Sequence, residues 1–223
     1  MITQDVLIQG MASFVETRDI ATGGHIQRTR HYVKALAEHL KDHPRFKSFL
    51  DDDTIDLLFR LAPWHDVGKI GVRDDILLKP GKLTVEEFEE MKKHTTMGSN
   101  AMLRAERTLQ DDSFMRLAYE IALTHQEKWD GTGYPEGRKG EEIPPSGRLM
   151  AVADVYDALI SRRSYKEPFS HESAVEIMKQ GRGSHFDPDI LDAFLEIQEE
   201  FRSIARRFAE EESESSVPDS PDS

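Results

Sequence analysis

The sequence predicts a single all-α domain, and three observations predict it. Apolar residues recur at helical spacing along nearly the whole chain. No segment alternates apolar and polar side chains as a half-buried strand would. The interruptions fall in two segments rich in glycine and proline, Lys69 to Lys82 and Lys128 to Gly147, which read as loops.

In chain order, Tyr32, Val33, Leu36, Ala37 and Leu40 form the first stripe, and Ile55, Leu58, Leu61 and Ala62 a second that ends at His65. Thr84-Val85-Glu86-Glu87 is a capping box, in which Thr84 accepts from the backbone while Glu87 reaches back, and it opens a helix toward His94. Phe114, Leu117, Ala118, Ile121 and Ala122 carry the next helix into His125. Leu149, Val152, Ala153, Tyr156 and Leu159 carry another through Asp154. Ile190, Phe194, Ile197, Phe201, Ala205 and Phe208 read as one long final helix. The domain is expected to occupy residues 1–208, with its core over 14–194, and residues 209–223 to form a disordered acidic Ser/Pro tail. No internal repeat is visible.

Composition narrows the chemistry. Lys and Arg number 29 against 42 Asp and Glu, a formal charge of −13. Binding a phosphate backbone needs clustered cations, so this charge argues against a nucleic-acid polymer as the main partner, while a small anion in a local basic pocket fits it. The absence of cysteine excludes disulfides, zinc-thiolate sites and thiol catalysis, so any metal must be held by nitrogen and oxygen. No apolar run is long enough for a bilayer, and Met1-Ile2-Thr3-Gln4-Asp5 lacks the basic and apolar regions of a secretory signal. A cytoplasmic protein without membrane contact is expected.

Six residues stand out: His25, His65, Asp66, His94, His125 and Asp154. All lie in apolar helical frames or beside glycine turns. Adjacent His65 and Asp66 offer two donors from one turn, and Asp66 could bridge two metals with its two oxygens while the other five complete each shell. Lys69, one turn later, is positioned to neutralise a phosphate oxygen. Ordinary capping and core polar residues fit the same spacing equally well. His31, His39, His43 and His171 read as surface or partly packed side chains and His185 as a turn residue, none of them a ligand.

Further ordered motifs accompany the six: Thr22-Gly23-Gly24-His25, His65-Asp66-Val67-Gly68-Lys69-Ile70-Gly71, Lys79-Pro80-Gly81-Lys82-Leu83-Thr84, His125 through Gly133-Tyr134-Pro135, Ala153 through Leu159, and Ser161-Arg162-Arg163-Ser164-Tyr165-Lys166. From about Phe14 to about Phe194 the sequence resembles the HD-GYP family, a branch of the HD phosphohydrolases. That resemblance implies an HD-type helical bundle whose long loops carry the GYP motif, a cyclic di-GMP phosphodiesterase activity yielding linear pGpG, with further cleavage to GMP left open, and a metal centre holding iron or manganese. The implied ligands are His25, His65, Asp66, His94, His125 and Asp154, with Asp66 and Lys69 catalytic.

Lys69, Tyr134, Asp157, Arg163 and Lys166 are expected to meet the substrate. Arg163 and Lys166 would contact phosphate, Tyr134 would lie near the guanine or the metals, and Asp157 would orient a ligand or the substrate. The GYP loop is also implied as a docking surface for a signalling partner. Two metals about 3.5–4 Å apart lower the pKa of a shared water and place it in line with a phosphodiester phosphorus. The chain departs from part of the family at Ala21, where members with a third metal carry Glu, and at Gln126, where many members carry a second histidine. Two divalent metals are therefore expected. A catalytically weak cyclic dinucleotide receptor, or a hydrolase of another nucleotide, remains an alternative, as does an output domain excised from a longer protein.

Overall fold

Helix ends, more than helix interiors, decide how this chain presents its polar residues. The structure, a computed structural model, describes residues 10, 14, 18, 24–109, 112–161 and 167–215; among these lie nine α-helices and no β-strand. Helix α1 (His25–Leu40) starts at Gly24, whose φ of 75° lies in the left-handed region that glycine tolerates. Helix α2 (Asp52–Leu61) is capped by Asp51, whose side chain accepts from the Thr54 N–H at 2.8 Å.

Pro63 has no N–H to continue α2, so the chain tightens into a 3-10 turn at Ala62–Trp64 and a second at Val67–Gly71. His65 and Asp66 sit between these turns. After short helix α3 (Asp74–Leu77), the capping box opens helix α4 (Val85–Leu109) as expected: Thr84 N–H donates to Glu87 Oε2 at 2.7 Å and Glu87 N–H to Thr84 Oγ1 at 3.3 Å. Helices α5 (Asp112–Thr124) and α6 (Pro145–Ile160) follow.

Helix α6 is the central strut, with Leu149 to Ala153, Tyr156 and Asp157 all buried. It crosses the end of α5 at Gly147, where a Cβ would come within 2.0 Å of Thr124 Oγ1. The Val67–Gly71 turn meets α4 just as closely: a Cβ on Gly68 would lie 1.8 Å from the His94 carbonyl and 2.6 Å from the Gly98 nitrogen. Both contacts bring ligand-bearing segments together.

Two expectations are corrected at the C-terminus. The final apolar stripe is two helices, α8 (Pro188–Glu196) and α9 (Gln198–Ser215), because the backbone turns at Ile197 (φ −107°, ψ 17°). The turn sets Phe194 against Phe201 at 4.9 Å between ring centroids and stacks Phe201 on Tyr32 at 4.4 Å. Helix α9 also continues to Ser215, past the residue-209 boundary expected for a disordered tail. Glutamate has good helix propensity, so an acidic run can prolong a helix that is already nucleated. Residues 216–223 lie outside the described residues.

Helix α7 (His171–Gln180), which the apolar pattern did not single out, buries only Ala174, Val175 and Met178. No helix among the described residues is long and apolar enough to cross a membrane.

Candidate metal centre

The fold gathers all six residues into two adjoining triads. His25, His65 and Asp154 form one and Asp66, His94 and His125 the other, with the donor atoms of each within 4.8 Å of one another. Helix α1 supplies His25 at its first residue, α4 supplies His94, the end of α5 supplies His125 and α6 supplies Asp154; His65-Asp66 comes from the proline-enforced turn between α2 and the Val67–Gly71 segment. Asp66 lies between the triads. Its Oδ2 is 3.3 Å from His65 Nε2, while its Oδ1 is 3.4 Å from His94 Nε2 and 3.7 Å from His125 Nε2.

Hydrogen bonds on the far side of each ring fix which nitrogen faces inward. His65 Nδ1 donates to the Ala62 carbonyl at 2.8 Å, His94 Nδ1 to Met91 at 2.8 Å, and His125 Nδ1 to Ile121 and Ala122 at 3.1 Å. His25 Nδ1 donates to Asp157 Oδ2 at 2.8 Å. All four Nε2 atoms therefore converge, with His25 3.2 Å from His65 and His94 3.2 Å from His125. Unprotonated nitrogens so close repel unless a cation lies between them, and Nδ1 anchoring is how proteins orient imidazole ligands. Neighbouring donors on a cation with bonds of about 2.1 Å stand roughly 3.0–3.5 Å apart, so the set fits divalent metal binding.

Charge at the site is strongly perturbed. Burial opposes protonation of His65, but Asp66 and Asp154 outweigh it and hold the imidazole up to about 9. Burial pushes His94 down to about 4, despite Asp66. Desolvation opposes ionisation of the partly buried Asp66, yet Lys69 and His65 keep its carboxyl well below the usual range. Lys69 Nζ lies 2.7 Å from Asp66 Oδ2, which places an ammonium group directly on that carboxylate.

Asp157 is 1% exposed, and its carboxylate is taken up by His25, by Arg28 Nε at 2.7 Å and by Ser161 Oγ at 3.2 Å. Although burial works against it, hydrogen bonding to His25 and Arg28 holds its pKa down to about 2. Its contact with His25 is the one that bears on the candidate ligands.

Gln126 donates to Asp154 Oδ2 at 3.4 Å. Tyr134 packs edge-on to His94 at 6.4 Å and to the exposed Phe88 at 6.1 Å. Burial, with Asp66 and Asp154 adding to it, raises its phenol pKa above the ordinary range. Arg163, Lys166 and Ala21 lie outside the described residues. The histidines read as non-ligands are occupied elsewhere: His31 bonds the Gln27 carbonyl at 2.7 Å, His39 pairs with Glu196 at 2.7 Å, His43 packs on Phe46, His171 meets the Tyr156 hydroxyl at 2.7 Å and His185 stacks on Phe186.

Arg28, which backs Asp157, and Glu127 escaped the sequence reading. Glu127, only 2% exposed, accepts from three successive backbone N–H groups, Glu136 at 2.8 Å, Gly137 at 3.1 Å and Arg138 at 3.1 Å. The signal available in the sequence is an acid two residues after His125, at the start of a glycine-rich segment.

A helical fold that closes imidazoles and carboxylates from four helices around a His-Asp turn defines an HD-type metal-site protein. The chain belongs to the HD domain family, whose model matches residues 12–190, and to its HD-GYP branch. It is 55% identical over 206 residues to a cyclic di-GMP phosphodiesterase of Vibrio cholerae, covering 92% of this chain and 42% of that one. To a cyclic di-GMP phosphodiesterase of Thermotoga maritima it is 42% identical, covering 88% of this chain and 50% of the relative. To the 3′3′-cGAMP-specific phosphodiesterase 2 of Vibrio cholerae it is also 42% identical, covering 91% of this chain and 36% of the relative. The chain thus spans half or less of the length of these curated relatives. A crystal structure of a cyclic GMP-AMP-specific phosphodiesterase from Vibrio cholerae shares the fold, with a TM-score of 0.60 at 19% identity over 91% of this chain and 53% of that one.

Proposed function

We propose that this chain is a metal-dependent phosphodiesterase that opens cyclic di-GMP to linear pGpG, with GMP as the optional further product. The observation that carries the reading is Asp66, whose two carboxylate oxygens face two separate triads. That arrangement suits two divalent ions, iron or manganese: His25, His65 and Asp154 would hold one, His94 and His125 the other, and Asp66 would serve both. When bound, the ions supply Lewis-acid neutralisation of the phosphodiester and activation of the attacking water.

The chain's own residues do the rest. Lys69 brings a positive charge to the phosphate side of Asp66. Asp157, with Arg28 behind it, keeps His25 turned inward. Tyr134 offers an aromatic face beside the centre for a guanine, and Arg163 and Lys166 are assigned to the phosphates. The same reading makes the protein cytoplasmic and gives the GYP loop a second role in docking a signalling partner.

Relatives named as cyclic di-GMP phosphodiesterases at 55% and 42% identity support this substrate. A relative named as 3′3′-cGAMP-specific at 42% identity favours that dinucleotide as the second candidate. Turnover of both by metal-loaded chain, prepared without air, tests the proposal. Formation of pGpG, abolished in His65→Ala and Asp66→Ala, is expected. Tight binding without cleavage would make the chain a receptor instead.

A further inference from the structure

The loop from Gln126 to Arg138 is fastened at both ends to the segment that follows His125. On one side Tyr134 N–H donates to the Gln126 carbonyl at 3.1 Å. Gly133 there lies so close that a Cβ would meet Lys128 N at 2.3 Å and Glu127 Cα at 2.5 Å. On the other side the Glu127 carboxylate gathers the N–H groups of Glu136, Gly137 and Arg138. Tyr134 is suspended between the two fastenings, with its ring edge-on to His94 and to Phe88 and with Lys92 Nζ 5.7 Å from its centroid.

A buried carboxylate that accepts three backbone donors makes charge-assisted bonds, among the stronger links available to a loop. Glu127 itself reaches no ligand atom of either triad, and its own N–H is spent on the Thr124 carbonyl at 3.0 Å. Its carboxylate therefore has no work at the metals. What it fixes is the backbone immediately after Tyr134.

We infer that Glu127 is a positioning residue for substrate binding, holding Tyr134 beside the metal centre through the backbone of residues 136–138. The inference rests on the cyclic dinucleotide reading above. A clamp of this kind acts on ground state and transition state alike, so its loss raises KM and leaves kcat nearly alone.

Glu127→Gln keeps one carbonyl oxygen for two of the three donors, whereas Glu127→Ala keeps none, so their effects should be graded. With metal-loaded full chain and cyclic di-GMP, KM is expected to rise about threefold in Glu127→Gln and about tenfold or more in Glu127→Ala, with kcat within about twofold. Metal content should stay at the wild-type level. Amide hydrogen exchange should quicken at Arg138 in the first variant and at Glu136, Gly137 and Arg138 in the second.

Unchanged KM in both variants, or parallel loss of kcat and metal, overturns the inference. If Glu127→Ala fails to fold, Glu127→Gln alone decides. Should the wild-type chain bind cyclic di-GMP without cleaving it, the hydrolase reading fails, and the same graded rise in Kd still supports the clamp.

Discussion

A proton on His65 and a cation at its triad compete for the same place. With Nδ1 committed to the Ala62 carbonyl, the extra proton that Asp66 and Asp154 retain up to about 9 sits on Nε2, the atom that faces His25 and Asp66. Metal binding must expel it, so metal affinity should rise from pH 6.5 to about 9 with one proton released per chain, measurable by titration in weak buffer. For the metal-free fold the sign is opposite. A histidine whose pKa is raised on folding stabilises fully below its unfolded value of 6.5, and that contribution disappears as pH rises through about 9. Thermal unfolding of metal-free protein should therefore lose on the order of 2 kcal/mol across that window, and His65→Ala should lose the pH dependence. Lys69 separates chemistry from architecture at the same scale. Lys69→Ala removes an ammonium group from Asp66 but no ligand, so turnover should fall about a hundredfold or more while metal content is kept; loss of the metal instead would make Lys69 structural.

Among the elements, the Val67–Gly71 turn and helix α4 are the joint on which the centre depends. Asp66 enters that turn and His94 lies on α4, and only a glycine at position 68 lets the two approach, since a Cβ there would lie 1.8 Å from the His94 carbonyl. That obstacle is backbone, which cannot rotate away. Gly68→Ala should push the turn off the helix, cost about 1–3 kcal/mol in denaturant unfolding, and remove most of the bound metal. Gly98→Ala is the milder control, because its Cβ would stand 3.1 Å from Gly68 N. Metal occupancy equal to wild type in Gly68→Ala would mean that the turn does not set the Asp66–His94 separation.

For the whole molecule, the parts that could be read in advance are those written in side-chain type and local spacing. The capping box at Thr84, the stripes of α1, α2, α5 and α6, and the His-Asp turn after Pro63 each carry their own local signature. His25 and Asp154 were identifiable beside them because glycine turns or apolar frames surround both, and the intervening loop motifs matched one family. The unread features are held by tertiary contacts. Glu127 bonds backbone N–H groups, which leave no mark on the partner residues' identity. Arg28 and Asp157 meet across 129 positions. The turn at Ile197 interrupts a continuous apolar stripe, and only the packing of Phe201 between Tyr32 and Phe194 reveals why it bends. Helix α7 is too short, with three buried apolar residues, to stand out by periodicity.

The proposed hydrolysis of a cyclic dinucleotide at a two-metal centre rests, at every scale, on Asp66 and its place between the two triads. The direct test is metal stoichiometry and turnover on the same preparation of the intact chain, purified without air. Two equivalents of iron or manganese per chain, with conversion of cyclic di-GMP to pGpG and loss of both metal and turnover in Asp66→Ala, is the outcome this account predicts. Three equivalents per chain, or turnover that persists in metal-free Asp66→Ala, would contradict it.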